Sequence, residues 1–94
     1  MSNKDNPLVS IIIPARNEAA RLRDCFLALK AQTYQNFELI VFDNNSGDES
    51  AEIFRQEFPT AELIESKKNY FVGGAVNRAL PRCQGKYVLA LCAE

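Results

Sequence analysis

Leu8-Val9-Ser10-Ile11-Ile12-Ile13-Pro14 decides the fold. The run is β-branched and almost unbroken in apolarity, which suits a strand covered on both faces. Pro14 lacks an N–H and is expected to end the ladder there. Downstream, Leu22, Phe26 and Leu29 recur at helical spacing beside Cys25, while Arg21, Arg23, Asp24 and Lys30 fall mostly off that stripe. This predicts an amphipathic helix of about three turns, with Asn17 as a residue able to cap it. Phe37 to Asp43 repeats the buried-strand pattern. Asn44-Asn45-Ser46-Gly47-Asp48 is a turn cluster from which Ser46 or Asp48 can cap a second helix. Ala51, Phe54 and Phe58 form that helix's stripe, and Pro59 stops it.

Ala61 to Glu65 predicts a short third strand near an edge, and Ser66 to Gly74 a loop with two adjacent glycines. Ala75 to Leu80 predicts a short helix, and Tyr87 to Leu91 a fourth strand. Helices alternate with buried strands, so the fold class is α/β. It is a Rossmann-like half-domain of about four mostly parallel strands with helices on both faces. In such sheets ligands sit beyond the carboxyl ends of the strands, near the reversal of strand order. Three polar clusters fall at such ends: Arg16-Asn17-Glu18, Asp43-Asn44-Asn45-Ser46 and Cys92-Ala93-Glu94.

The chain has 94 residues, enough for one small domain. It divides into a polar tail, 1–7, and a domain, 8–94. The tail has no apolar core and does not read as a signal peptide. An apolar fraction of 47% argues against disorder. Eleven basic residues face twelve acidic ones without a basic patch, which argues against nucleic acid or an anionic membrane as partner. No apolar run is long enough to span a bilayer. The absence of histidine removes Ser-His-Asp, Cys-His and His-metal chemistry together. Any metal must then be held by carboxylates and ligand phosphates, which suits Mg²⁺ or Mn²⁺. Cys25, Cys83 and Cys92 are odd in number and match no zinc spacing; they read as thiols in a reducing, cytoplasmic setting. Arg78 and Arg82 read as surface charges rather than phosphate clamps.

The clusters and their order carry a resemblance. Val9-Ser10-Ile11-Ile12-Ile13-Pro14-Ala15-Arg16-Asn17-Glu18 resembles the opening motif of the family-two, GT-A-fold glycosyltransferases. Gln32 to Asp48 resembles the second motif, and Asn69-Tyr70-Phe71-Val72-Gly73-Gly74-Ala75-Val76-Asn77-Arg78 the third. Gly85 to Leu91 resembles the strand leading to the acidic metal motif. The resemblance spans Leu8 to Glu94. It implies a nucleotide-diphosphate sugar as donor, with the acceptor left open and inversion at the anomeric carbon common. By the same resemblance Pro14, Ala15, Asn17 and Glu18 line the base and ribose, and Asp43 hydrogen-bonds the base. Gly73, Gly74 and Asn77 complete the nucleotide wall, and Glu94 is the candidate ligand for a divalent cation.

Residue chemistry supports part of this. An ionised Asp43 accepts from a nucleobase N–H, and adjacent glycines admit a backbone close to a ligand. The sequence also departs from the family's pattern. Arg16 stands where an aromatic residue is frequent, although a guanidinium plane can also stack on a base. Asn44 replaces an acidic residue. Cys92-Ala93-Glu94 stands in place of Asp-x-Asp, and a thiol is a poor ligand for hard cations. The resemblance puts the catalytic base and acceptor-binding elements beyond Glu94. The chain is therefore expected to be part of a longer enzyme that does not transfer sugar alone, with no catalytic residue assigned. Two alternatives stand beside this reading. One is a non-catalytic nucleotide-binding or interaction module; the other is a marginally folded fragment with an exposed apolar fourth strand.

Overall fold

The computed structural model describes residues 7–91 apart from 18, 46, 48, 49, 58 and 60. Four parallel strands form one sheet: β1 (Val9–Ala15), β2 (Phe37–Asn44), β3 (Glu62–Ser66) and β4 (Tyr87–Ala90). Between them come α1 (Ala19–Ala31), α2 (Ser50–Glu57) and α3 (Phe71–Ala79), the last followed by a 3-10 turn at Leu80–Arg82. The strand order is β3-β2-β1-β4. The chain steps one way from β1 to β3, then returns past β1 to lay down β4. With right-handed crossovers, that reversal must carry the returning helix to the other face of the sheet.

The core follows from this winding and from strand alternation. Ile11, Ile13 and Ala15 of β1 and Leu39 and Val41 of β2 pack with Leu22, Phe26 and Leu29 of α1 and with Ile53 and Phe54 of α2. The Phe26 and Phe54 rings lie 5.6 Å apart at a tilt of 54°, and Lys30 Nζ meets Glu57 Oε1 at 2.9 Å between the two helices. On the opposite face Ile12 and Ile40 pack with Ala79 of α3, joined by Ile64, Val76 and Cys83. Each predicted helix-stripe residue among the described positions is buried or half-buried; Ile53 belongs to the α2 stripe as well.

Pro14 does not end the ladder: β1 runs on through Pro14↔Phe42 to Ala15↔Asp43. The reason lies in which way Pro14 faces. Leu91 N–H donates to Ile12 O at 2.9 Å, so Ile12 turns its backbone polar groups toward β4. Pro14, two residues on, turns the same way, and the β1–β4 pairing closes at Ile12↔Ala90. The missing N–H therefore falls on the side where β4 pairing has finished, and the ladder to β2 is untouched.

β3 is an edge strand, as its short length implied. β4 is the other edge, and Tyr87, Val88 and Leu89 are all exposed. It is the exposed apolar strand named in the second alternative reading. Its entry is tightly set. Lys86 N–H donates to Leu8 O, and Gly85 N–H to Ser10 Oγ, both at 2.8 Å. Ser10, fully buried, donates in turn to the Glu38 carboxylate, which also accepts from Gln84 N–H at 2.6 Å. A Cβ on Gly85 would stand 2.6 Å from Ser10 N and 2.8 Å from Leu8 O, both backbone atoms of the central strand. Gly85→Ala is therefore expected to lower unfolding stability by about 1–3 kcal/mol, the range for overpacking a tight site. Urea denaturation with unchanged m-value and a lower midpoint is the expected record.

Candidate functional site

The site forms where the sheet's winding leaves a gap. α3 crosses above β1 and β2, so its first residues come down over the carboxyl ends of those strands. There Pro14, Ala15 and Arg16 from the end of β1, Asn44 from the end of β2, and Asn69, Phe71 and Val72 from the entry to α3 enclose an open cleft of ≈ 180 Å³. This is the region of reversed strand order where α/β sheets place their ligands.

Asn44 holds the cleft together. Its side chain is 3% exposed. Its Oδ1 accepts from Tyr70 N–H at 2.9 Å, and its Nδ2 donates to Phe71 O at 3.0 Å. One carboxamide thus satisfies a donor and an acceptor of adjacent residues, which fixes its orientation. A carboxylate at this position has no proton for Phe71 O. The sequence reading treated Asn44 as an acidic position lost; the structure gives it a bond that an ionised acid cannot make.

Among the described residues, three non-glycine residues have positive φ: Asn17 (φ 53) and Asn45 (φ 61) just after β1 and β2, and Phe71 (φ 61) at the start of α3. Asparagine tolerates this region; a large aromatic residue there is an outlier carrying about 1–3 kcal/mol of strain. Phe71 is held by both of its backbone polar groups. Its N–H donates to Asn69 Oδ1 at 2.8 Å, and its carbonyl takes the Asn44 bond. Its side chain is mostly outside the core: Phe71 is 73% exposed.

The sequence-predicted residues separate. Pro14 and Ala15 line the cleft. Asn17 instead reaches across to the next loop, where its Oδ1 accepts from Gly47 N–H at 2.6 Å, tying the β1–α1 turn to the β2–α2 turn. Asp43, next to last in β2, pairs with Ala15, is 6% exposed, and is not among the residues lining this cleft. Gly73 and Gly74 lie inside α3, which begins at Phe71, so the predicted loop is helix there. Neither has positive φ. A Cβ at Gly73 meets nothing within 4 Å, whereas one at Gly74 would stand 2.8 Å from Tyr70 Cβ. The space a Cβ would take at Gly74 is thus filled by Tyr70. Asn77 is exposed on α3, away from the cleft lining. Glu18, Ser46, Asp48, Phe58 and Cys92 to Glu94 lie outside the described residues.

Two further charges have partners within the fold. Arg78 stacks on Tyr70, its guanidinium carbon 3.5 Å from the ring centroid, and Arg82 pairs with Glu62. Both are surface charges, as read from the sequence. Burial pushes the Cys25 thiol above its ordinary value. At Cys83 burial does the same, and Glu38 adds to it while a hydrogen bond with Ser10 opposes it. Both thiols stay protonated at neutral pH and are not poised as nucleophiles. Among the described residues no group of three or more Cys, Asp or Glu side chains is placed to hold a metal ion.

This four-stranded parallel fold is similar to that of GT-A-type glycosyltransferases. A family model described as glycosyl transferase family 2 matches residues 10–91, and the chain belongs to that family. It is 38% identical over 82 residues to an uncharacterized glycosyltransferase of Rickettsia prowazekii, covering 87% of this chain and 26% of that protein. It is 35% identical over 91 residues to a PGL/p-HBAD biosynthesis glycosyltransferase of Mycobacterium tuberculosis, covering 94% of this chain and 36% of that one. The chain thus spans about a quarter to a third of the curated relatives it matches.

Among solved structures, a mannosyltransferase of Pyrobaculum calidifontis in complex with GDP-mannose and Mn²⁺ superposes at a TM-score of 0.86 with 26% identity, covering 94% of this chain and 28% of that one. The glucosyl-3-phosphoglycerate synthase of Mycobacterium tuberculosis, solved with Mn²⁺, UDP and glucosyl-3-phosphoglycerate, superposes at 0.79 with 21% identity, covering 97% and 35%.

The Asn44 clamp has a measurable consequence. Asn44→Asp is expected to lower stability by about 1–3 kcal/mol at neutral pH, the cost of leaving Phe71 O without its donor. A protonated carboxyl restores that donor, so folding raises the introduced acid's pKa above its unfolded value. The deficit relative to the native chain should then shrink as pH falls through that raised pKa. Paired urea titrations at pH 7 and pH 4.5 test this, and a deficit that grows on acidification contradicts it.

Proposed function

We propose that this chain forms the donor-nucleotide pocket of a sugar-transferring enzyme, taking a nucleotide-diphosphate sugar. The observation that carries the reading is the cleft at the ends of β1 and β2, in a chain of glycosyl transferase family 2. Its lining suits a nucleotide. Pro14, Ala15, Phe71 and Val72 offer apolar walls to a flat heterocycle, while Asn44, Asn69 and the exposed Arg16 offer polar groups at the edges. Arg16 brings a guanidinium that pairs with phosphate or stacks on a base. Asp43, paired with the cleft residue Ala15 in the β1–β2 ladder, is assigned to accept a base N–H. Glu18 and Glu94 keep the roles implied by resemblance, as lining residue and cation ligand.

The Mn²⁺ held by the mannosyltransferase and by the synthase supports a divalent cation in this reading. Such an ion offsets charge on a departing diphosphate. The described residues do not make a cation site by themselves, and what they do is bind and orient. Delivery of the sugar to an acceptor belongs to the proposal for the whole protein. No described helix is long and apolar enough to cross a membrane. A cytoplasmic setting is supported by Cys25 and Cys83, both free thiols.

Isothermal titration of the native chain with UDP, GDP, ADP, CDP and dTDP, with Mn²⁺ present, should give saturable binding of at least one. Asp43→Ala should weaken that binding by about tenfold to a hundredfold, as expected when a charged acceptor is lost. Equal affinity in a variant that still melts cooperatively removes Asp43 from the pocket. Failure of every nucleotide to bind removes the pocket itself.

A further inference from the structure

We infer that Phe71 is the aromatic platform on which the nucleobase of the donor stacks, an assignment that rests on the donor-pocket reading. Three observations converge on it. Phe71 occupies left-handed backbone that a phenylalanine adopts at a cost. That backbone is clamped through both its N–H and its carbonyl, by Asn69 and Asn44, which themselves line the cleft. The residue so positioned is 73% exposed at the cleft, and the core gains nothing from it.

A residue whose role was packing would not combine strain, a double clamp and exposure. A glycine would satisfy the same two backbone bonds without strain, since neither uses the side chain. What the ring adds is therefore directed outward. Strained residues held by their surroundings are characteristic of ligand clamps.

The chemistry of the cleft selects a base over a sugar as the ring's partner. A sugar ring also stacks a C–H face on an aromatic ring, but its hydroxyls surround the whole edge and call for polar groups on every side of the stack. Here Phe71 stands with Val72, Pro14 and Ala15, an apolar surround with polar groups from Arg16, Asn44 and Asn69. This fits a flat heterocycle with an apolar face and a hydrogen-bonding edge. Arg16 lines the same cleft, so a base on Phe71 can also lie within reach of its guanidinium plane.

Two variants test the assignment. Phe71→Gly removes the ring and the strain together. It should melt at the native temperature or above, yet bind the preferred nucleoside diphosphate about tenfold to a hundredfold more weakly. A purely structural role would instead move stability and leave affinity alone. Phe71→Trp keeps an aromatic face and introduces the sole tryptophan of the chain. It should retain affinity, and its emission should be quenched on saturation with the same nucleotide. Native affinity in Phe71→Gly, or saturable binding to Phe71→Trp without quenching, overturns the platform while the donor pocket stands. Absence of nucleotide binding by the native chain overturns both.

Discussion

The pairing of β1 with β2, unbroken from Val9↔Phe37 to Ala15↔Asp43, is the constraint on which the other elements depend. It buries two apolar strands side by side, and strand alternation then decides which face each helix must cover. Ile11 and Ile13 point toward α1 and α2, while Ile12 points toward α3. Because the ladder to β2 runs three residues past the end of the β1–β4 pairing, Pro14 and Ala15 project beyond β4's described end as a rim. That rim is one wall of the cleft. The same proline that lacks a donor for β4 is thus what the ladder to β2 carries into the site.

The opposite wall depends on two asparagine side chains. The loop from β3 to α3 must pass over the ends of β2 and β1, and its backbone groups need partners away from the ladders. Asn44 supplies two of them at once. Asn69 supplies a third at Phe71 N–H. Asn17 does the corresponding work between the first two loops through Gly47. Carboxamides, which accept and donate, therefore join loops that meet at the strand ends. This gives a physical reason for the abundance of asparagine in the polar clusters, apart from any contact with ligand.

The sheet and its core were legible because they rest on periodicity. β1 and β2 are buried on both faces and read as continuous apolar runs; Leu22, Phe26 and Leu29 mark one face of α1. What escaped depends on backbone direction and on partners distant in sequence. The extension of β1 through Pro14 turns on which neighbour the proline faces, and that follows from where β4 stops. The helical start at Phe71 ran against a Gly-Gly pair, two poor helix formers. Helix wins there because Gly74 lets Tyr70 pack closely and Arg78 stacks on the Tyr70 ring, contacts that sequence reading does not supply. Asn44 was read for a missing charge, when its function turned on the amide's second hydrogen-bonding group.

Gly74 and Phe71 can be weighed against each other. Gly74 sits in α3 without positive φ, where its value is the space that Tyr70 Cβ needs. Phe71 sits at positive φ, where a glycine would be unstrained, and carries a ring that is mostly exposed. Each position thus holds the residue that local backbone preference alone would not choose. At Gly74 the departure is explained inside the fold, by the aromatic packed against it. At Phe71 no core contact among the described residues explains it, and the residue lines the cleft. Local rules broken without an internal compensation are expected at functional sites. The difference between these neighbouring positions separates a residue kept for packing from one kept for what binds.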